Sequence, residues 1–396
     1  MTRYIIYLFL ITWPIFSWTT LVSFGRGLPD IDVLRPAALF VFLITLTRIT
    51  INQKIKIDNT VYFCLAYVLI FIVNLLIIEP NKGFLSSAAF ASDLYVVPII
   101  IYFALLNFED NINEKDLVYS ILISGIYIAI VGIAEFIVGR NLIGPEGLEA
   151  GDLIFRTNGP FYDIIGYSGI VLMYIPFTYY FMKEKIIGKY IGASCLLLFS
   201  LGSLVNYSRA TMISFLVIFI ILIGSSDLKK MIFYFIVIII MGVTLYFTYD
   251  LLIKTRLYTE RISEVSTITG RLAQYSLCIK TFMKSPLIGI GDGNFWKAYD
   301  YDIHSTYLRV IVEQGLVGFI PFICFIFSII FKKLNLKMAK ISPEFFKTKL
   351  SIIFIVLFIP STINFLRNKQ FVLILLLVVF STNYWFFRKR SQEEKI

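Results

Sequence analysis

The chain has very little of what soluble enzymes commonly use for catalysis. It contains one histidine, His304, among 396 residues, and only 16% of its residues are charged. None of the patterns GxxxxGK[ST], GxSxG and HExxH occurs, which weighs against ATP-driven transport and familiar hydrolase chemistry. The four cysteines have neither CxxC spacing nor a second loop partner, so the sequence suggests neither a disulfide framework nor a cysteine metal site.

Apolar residues dominate instead. They make up 58% of the chain, 17% of its residues are aromatic and its mean hydropathy is +0.81, whereas soluble domains are about 45–50% apolar. Runs of about 20 apolar residues can cross a hydrocarbon core of about 30 Å. We therefore predict a single all-α integral membrane domain over residues 1–396, a polytopic helical bundle of about twelve transmembrane helices. The predicted spans are 4–24, 33–51, 60–79, 88–106, 117–138, 161–182, 190–206, 210–225, 231–250, 306–331, 350–366 and 371–387. The first run is too long for a secretory signal and no cleavage site follows it, so it is predicted to stay as a membrane helix.

The positions of lysine and arginine predict the orientation of the bundle. Basic loops stay in the cytoplasm, and most Lys and Arg residues outside residues 251–305 fall in one alternate set of loops, which includes both ends of the chain. We therefore expect both termini in the cytoplasm. The large loop 251–305, between the ninth and tenth helices, and the loop 139–160 then open on the periplasmic face. The net charge of +10 is explained by this topology and by contact with anionic lipid, so nucleic-acid binding is not needed to account for it.

Within the large loop, apolar residues recur at helical spacing and predict a short helix over about 271–284, ended by Pro286 and Gly289. Such a helix would lie on the membrane surface or against the bundle. It either covers the outer ends of the membrane helices or caps a functional site.

Four residues on the predicted outer face could do chemistry: Arg156, Arg209, Arg271 and His304. Arg209 either reaches lipid phosphates from the membrane boundary or holds an anionic substrate, because a guanidinium binds phosphate oxygens in pairs. Arg156 and Arg271, taken alone, could be ordinary loop arginines. His304 either caps a helix, a role that Ser305 could also fill, or acts as a general base with an ordinary pKa near 6.5.

Other charged residues fall within or beside apolar spans. Arg309 and Glu313 are spaced i, i+4 and are predicted to pair structurally. Asp93 and Glu135 are candidate site residues because charges inside membrane spans are costly, although each could lie near a helix end.

Two Asp-x-Asp triplets, Asp30 with Asp32 and Asp300 with Asp302, have the chemistry to hold a divalent cation. Two such pairs are only slightly more than chance gives in a chain with this many aspartates. We therefore predict no metal site and no cofactor.

Four segments occur in a recognisable order between residues 156 and 320: "RTNGPF", "YSRAT", "GRLAQYSLCIKTFMKSPLIGIGDGNF" and "HSTYLRVIVEQGLVG". In this order they resemble the O-antigen polymerase and O-antigen ligase superfamily of bacterial envelope glycosyltransferases. The resemblance implies a helical bundle with a large periplasmic loop between two late helices. It also implies an undecaprenyl-pyrophosphate-linked oligosaccharide as donor.

The resemblance assigns roles to the four outer residues. Arg209 and Arg271, and less directly Arg156, would bind the donor pyrophosphate, and His304 would be the base or positioning group for the acceptor. Serine follows the histidine here where family members often have asparagine, so a hydrogen bond from that amide is not expected. Fixed cations can neutralise the charge that develops on a leaving diphosphate without a metal.

The resemblance leaves the acceptor open. We expect a polymerase of lipid-linked repeat units, because the stretch between "PLIGIG" and the histidine is short, with a ligase that transfers the glycan to lipid A core as the alternative. A flippase or transporter and a metal-dependent glycosyltransferase that uses Asp30 and Asp32 are alternatives of other classes. Expected partners are membrane lipid and, for a polymerase, a protein that regulates chain length.

Overall fold

A computed structural model describes residues 2–16, 20–22, 31–78, 96–143, 157–161, 164–205, 208–224, 266–299, 303, 305–331, 342–362 and 369–393. For Arg209 and Arg271 it describes the backbone alone.

The described chain is helical apart from one short pair of antiparallel strands, β1 (Thr20–Val22) and β2 (Ile31–Asp32). The helices are α1 (Thr2–Phe16), α2 (Leu34–Asn52), α3 (Asn59–Ile78), α4 (Val97–Phe108), α5 (Glu114–Val138), α6 (Ile164–Lys183), α7 (Lys189–Leu204), α8 (Arg209–Ile223), α9 (Ser266–Phe282), α10 (Asn294–Tyr299), α11 (Thr306–Ile330), α12 (Pro343–Thr362) and α13 (Lys369–Glu393), with a 3₁₀ turn at Glu109–Asn111. This confirms the predicted helical fold.

Four described helices, α2, α3, α5 and α11, are by length and composition able to cross a membrane, and several shorter helical stretches are also apolar. Every predicted span except 231–250, which lies outside the described residues, has a helix at its position. The exact number of crossings and the periplasmic loop remain predictions.

Polar residues next to the apolar runs fix where several helices begin. The side chain of Asn113 accepts hydrogen bonds from the backbone N–H groups of Lys115 and Asp116 at the start of α5. Ser208 caps α8 and Ser305 caps α11 in the same way. Such caps satisfy N–H groups that have no partner within the helix.

Helix α6 lies at the centre of the bundle and packs on α5, α7, α8, α12 and α13. Nearly all of its described side chains are buried, as expected for a helix that is apolar on all sides. Two glycines of α5 allow it to approach closely. A Cβ atom on Gly125 would lie 2.5 Å from Tyr174, and one on Gly132 would lie 2.0 Å from the Tyr167 hydroxyl. Small residues at such positions are typical of helix packing in membranes.

Contacts of α12 show which helix ends lie together. Tyr180 near the end of α6 packs on Phe345 at the start of α12, with ring centroids 5.9 Å apart. Tyr307 at the start of α11 donates a hydrogen bond to the Val356 carbonyl in the second half of α12. The starts of α6 and α11 therefore lie at the same end of the bundle. We call this end, with the start of α8 and the ends of α3 and α5, the motif face.

The opposite face gathers loops that the sequence predicts to be cytoplasmic. Lys56 contacts Asp110 at 3.1 Å and Glu109 at 3.3 Å, and Arg388 contacts Glu114 at 2.8 Å. Partial burial alone would lower the pKa of Lys56, but the neighbouring carboxylates outweigh this effect and raise it. The alternate loops thus meet at one face, as the predicted alternation of helices requires.

Candidate functional site

The structure describes the surroundings of all four predicted site residues, and for two of them it also describes the backbone. Arg156 and His304 lie outside the described residues. Arg209 is the first residue of α8, and Arg271 lies within α9. The segments that carry the four residues form two groups at the motif face.

Glu135 anchors the first group. It lies in the last turn of α5, is fully buried and accepts three hydrogen bonds. They come from the Thr157 hydroxyl at 2.7 Å, the Gly159 N–H at 2.9 Å and the Leu142 N–H at 3.1 Å. The carboxylate therefore ties the chain next to Arg156 to the end of α5. The sequence flagged Glu135 as a charge in an apolar span, and the structure places it at the end of that span as an anchor.

The turn after Arg156 is also clamped to α6. Gly159 has a φ of +55°, and a Cβ atom there would lie 2.3 Å from the ring of Tyr167. The next residue of α6, Ser168, shares a hydrogen bond of 2.8 Å with Thr211 in the first turn of α8. Positions 157 and 209 are thus both held at the same end of α6.

Several buried polar atoms near this turn have no hydrogen-bond partner. They are both amide atoms of Asn158, the hydroxyl of Tyr167 and the indole nitrogen of Trp13. Trp13 stacks on Phe161, with ring centroids 6.0 Å apart and planes at 16°. Because an unsatisfied buried polar group costs about 1–3 kcal/mol, such groups are normally completed by water or a ligand. Sequence reasoning missed these residues, although Asn158 lies inside the quoted "RTNGPF".

The second group is built on a break in α11. Gly315 has φ +62° and ψ −168°, which is not helical. In a regular helix the N–H groups of Leu316 and Val317 would donate to the carbonyls of Val312 and Glu313. Here they donate to Pro286 and Leu287, at 2.9 and 3.0 Å.

The two freed carbonyls of α11 are not left unpaired. The Val312 carbonyl accepts from the Ile290 N–H at 3.1 Å, and the Glu313 carbonyl accepts from the Gly291 N–H at 2.9 Å. The segment 286–291, the "PLIGIG" of the sequence, therefore inserts into the hydrogen-bond ladder of α11. We call it the inserted segment.

Two glycines make this insertion sterically feasible. A Cβ atom on Gly289 would lie 2.4 Å from the backbone of Glu313, and one on Gly315 would lie 2.3 Å from the Leu287 carbonyl oxygen. Both residues also have a positive φ, +72° and +62°, which side-chain-bearing residues rarely adopt.

The predicted pair of Arg309 and Glu313 is confirmed. The Nε of Arg309 donates to Glu313 Oε2 at 2.8 Å, and the two side chains are only 5% and 1% exposed. The other carboxylate oxygen of Glu313 accepts from the Gly293 N–H at 3.0 Å. The pair thus also holds the chain just after the inserted segment.

Both neighbours of His304 are fixed in this group. Ile303 is buried in a cluster with Cys278, Phe295 and Val312, and Ser305 accepts from the Leu308 N–H as the cap of α11. Position 271 lies two turns before Cys278, so by helical spacing it belongs to the same face of α9 as buried Gln274 and Cys278.

The acidic triplets have no described metal geometry. Asp30, Asp93, Asp300 and Asp302 lie outside the described residues, and Asp32 accepts from the Arg35 N–H at 3.2 Å. Among the residues that the structure describes, no three His, Cys, Asp or Glu side chains gather as a metal site would require.

One family model, described as O-antigen ligase, matches residues 194–323. The match runs from α7 into α11 and includes the segments that hold Arg209, Arg271 and His304, together with the inserted segment. It supports the resemblance to the O-antigen ligase and polymerase superfamily. No curated protein matches the chain.

Proposed function

We propose that the chain is a glycosyltransferase of the bacterial inner membrane that polymerises lipid-linked repeat units of an O-antigen or capsule. The observation that carries the proposal is the convergence of the motif-bearing helix ends. The first turn of α8, the turn at 157–161, and both neighbours of position 304 lie at one face of the bundle. The family match over residues 194–323 supports an enzyme of the O-antigen ligase or polymerase type.

In this proposal Arg209, Arg271 and Arg156 hold the pyrophosphate of an undecaprenyl-linked donor. Their positive charges neutralise the diphosphate as it leaves the anomeric carbon, so that no metal is required. His304 accepts the proton of the attacking sugar hydroxyl, a role that typically contributes about 10²- to 10⁴-fold to a rate.

The unpaired groups beside position 157 suit a sugar. Trp13 and Phe161 stack on each other in a buried contact, and the buried amide of Asn158 has a donor and an acceptor without partners. Hydroxyl groups of a glycan unit could complete the hydrogen bonds that this amide lacks. We place the glycan end of the donor on this side of the site.

The proposed orientation puts the motif face in the periplasm and both termini in the cytoplasm. It is supported by the excess of Lys and Arg in the loops of the opposite face, where Lys56, Lys183 and Arg388 lie. A donor attached to a membrane lipid would then enter from the side, within the plane of the bilayer.

Complementation tests polymerase against ligase. The chain is expressed in strains that lack either enzyme, and glycans are separated on gels. Restored ladders in the polymerase-deficient strain, with single repeats in the empty control, are the expected result. Restoration only in the ligase-deficient strain, with lipid-linked chains stranded in its control, would show transfer to lipid A core instead.

The alternatives from other classes make different predictions. The family match gives no support to a flippase, and a flippase would keep transporting after loss of His304. A metal-dependent transferase built on Asp30 and Asp32 would lose activity with chelator. We expect product formation by purified protein to persist in EDTA.

A further inference from the structure

We infer that residues 286–288, inside the loop that the sequence predicts to open on the periplasmic face, are inserted into the hydrocarbon of the bilayer beside α3 and α11. The partner of this surface is lipid acyl chains. The inference concerns how the chain sits in the membrane and does not depend on the reaction that it catalyses.

The segment lies well inside the length of both neighbouring helices. Tyr67, near the middle of α3, packs on Phe322 of α11, with ring centroids 5.3 Å apart, and Phe322 lies four residues beyond the middle of α11. We take this contact as the level of the bilayer centre. Leu316, which binds Pro286, lies six residues before Phe322, about 9 Å along the helix at 1.5 Å per residue. Because half of a hydrocarbon core is about 15 Å, the start of the inserted segment lies below the membrane boundary.

Helix α3 gives a second estimate of the same depth, measured from the same contact. The side-chain amide of Asn74 donates to the Ile288 carbonyl at 2.6 Å. Asn74 lies seven residues after Tyr67, about 10 Å along α3. The two helices on either side of the segment therefore place Leu287 and Ile288 at the same level.

The apolar side chains of these residues are exposed: Leu287 and Ile288 are 64% and 43% exposed in the isolated chain. They continue the apolar surface that α3 and α11 present at this level, where Ile77 is 62% and Ile320 is 59% exposed. A patch of this kind in contact with water would carry a large hydrophobic cost. In contact with acyl chains it carries none.

Irregular backbone is tolerated at membrane depth only where its polar groups are satisfied. Much of the backbone of the inserted segment is paired. The carbonyls of Pro286 and Leu287 and the N–H groups of Ile290 and Gly291 pair with α11, and the Ile288 carbonyl pairs with Asn74. Lys280 and Lys284, which precede the segment, are exposed, and their long side chains can reach lipid phosphates from the boundary.

Spin labels test this placement. Leu287→Cys and Ile288→Cys are introduced in turn after the native cysteines are replaced, labelled with a nitroxide and reconstituted in lipid bilayers. Accessibility to oxygen and to a water-soluble nickel relaxant is then measured by power saturation. Ile320→Cys on α11 is the hydrocarbon reference, and Lys297→Cys on α10 is the aqueous reference.

The expected result is loss of access to nickel and high access to oxygen at positions 287 and 288, matching position 320. Nickel access equal to that at position 297 would overturn the inference. If the cysteine-free protein does not fold, the fluorescence of an Ile288→Trp variant is compared with that of the unsubstituted chain, whose four tryptophans give the background. The fluorescence added at position 288 should be quenched by lipids brominated on their acyl chains, and quenching no greater than in the unsubstituted chain would overturn the inference.

A failure here is distinguishable from a failure of the proposed function. Labels at 287 and 288 report lipid contact whether or not the protein makes glycan ladders. Conversely, the wild-type chain could restore glycan ladders while the labels at 287 and 288 prove accessible to water. That result would support the proposed enzyme and disprove insertion of this segment into the bilayer.

Discussion

At the residue scale, single groups hold the motif face together. Glu135 and Gly315 each do so through contacts that few substitutes could reproduce. Glu135 satisfies three donors at once, and Gly315 combines a positive φ with a close approach to the Leu287 carbonyl.

Glu135→Ala should lower the free energy of unfolding by about 3 kcal/mol or more, because buried donors lose their acceptor at about 1–3 kcal/mol each. Thermal unfolding in detergent measures the loss. Glu135→Gln is the matched control, since its amide oxygen can still accept from Thr157 and Gly159, and it should recover both stability and glycan ladders in part. Equal losses for the two variants would mean that the hydrogen bonds do not anchor the turn.

Gly315→Ala should destabilise the protein by about 2 kcal/mol or more, because the new methyl group adds a clash to the backbone strain. Gly139→Ala is the matched control. Gly139 has a φ of +73°, but a Cβ atom there would meet nothing within 4 Å, so this variant bears the strain without the clash. Similar melting temperatures for the two variants would contradict the close packing of the inserted segment.

His304→Ala and Arg209→Ala should each abolish glycan ladders, since one removes the proposed base and the other a cation that holds the diphosphate. Membrane fractionation should show both variants inserted at wild-type level. Arg140→Ala, an exposed arginine at the same face, should leave the ladders unchanged. A normal ladder from either site variant would remove that residue from the mechanism.

At the element scale, the sequence predicted where helices lie far better than how they are interrupted. Long apolar runs place α5 and α11 within a few residues, because a chain in lipid must satisfy its backbone as helix. The break at Gly315 could not be read from "VEQGLVG", since an isolated glycine is tolerated in a helix. The hydrogen bonds that stabilise the break join residues that are 22 or 30 positions apart in the chain, and no local pattern encodes that pairing.

The sequence was similarly incomplete for the candidate site. It predicted the pair of Arg309 and Glu313 from their spacing, and it marked Glu135 as a charge among apolar residues. It gave no reason to single out Trp13 or Tyr167, because an aromatic residue in a membrane helix ordinarily serves packing. Their unpaired polar atoms become visible only when three-dimensional neighbours are known.

Glu313→Ala should destabilise α11 strongly, by about 3–5 kcal/mol, because the buried Arg309 guanidinium and the Gly293 N–H would both lose the carboxylate that accepts their hydrogen bonds. Glu114→Ala removes the partner of Arg388, but that pair is 20% and 43% exposed, so its loss should cost about 0–1 kcal/mol. Chemical or thermal unfolding of the two variants side by side checks the contrast. Equal costs would show that Arg309 finds other stabilisation when Glu313 is removed.

At the scale of the whole molecule, the structure separates two polar faces, and the charge distribution predicts which one is cytoplasmic. The prediction can be tested with one cysteine on each face. A membrane-impermeant maleimide added to intact spheroplasts should label Arg140→Cys and spare Lys185→Cys, which should react only after lysis. The reverse pattern would place the motif face inside the cell and exclude a periplasmic acceptor.

The exchange of hydrogen bonds between α11 and the inserted segment also constrains biogenesis. The segment leaves the ribosome before α11 is made, and in the broken conformation neither can complete its backbone bonds without the other. A nascent α11 that adopted the break alone would carry unpaired amides and carbonyls into lipid at several kcal/mol per group. Release of α11 from the translocon should therefore be coupled to binding of the inserted segment. A deletion within 286–291 should stop membrane insertion at the tenth predicted span and leave the earlier helices in place.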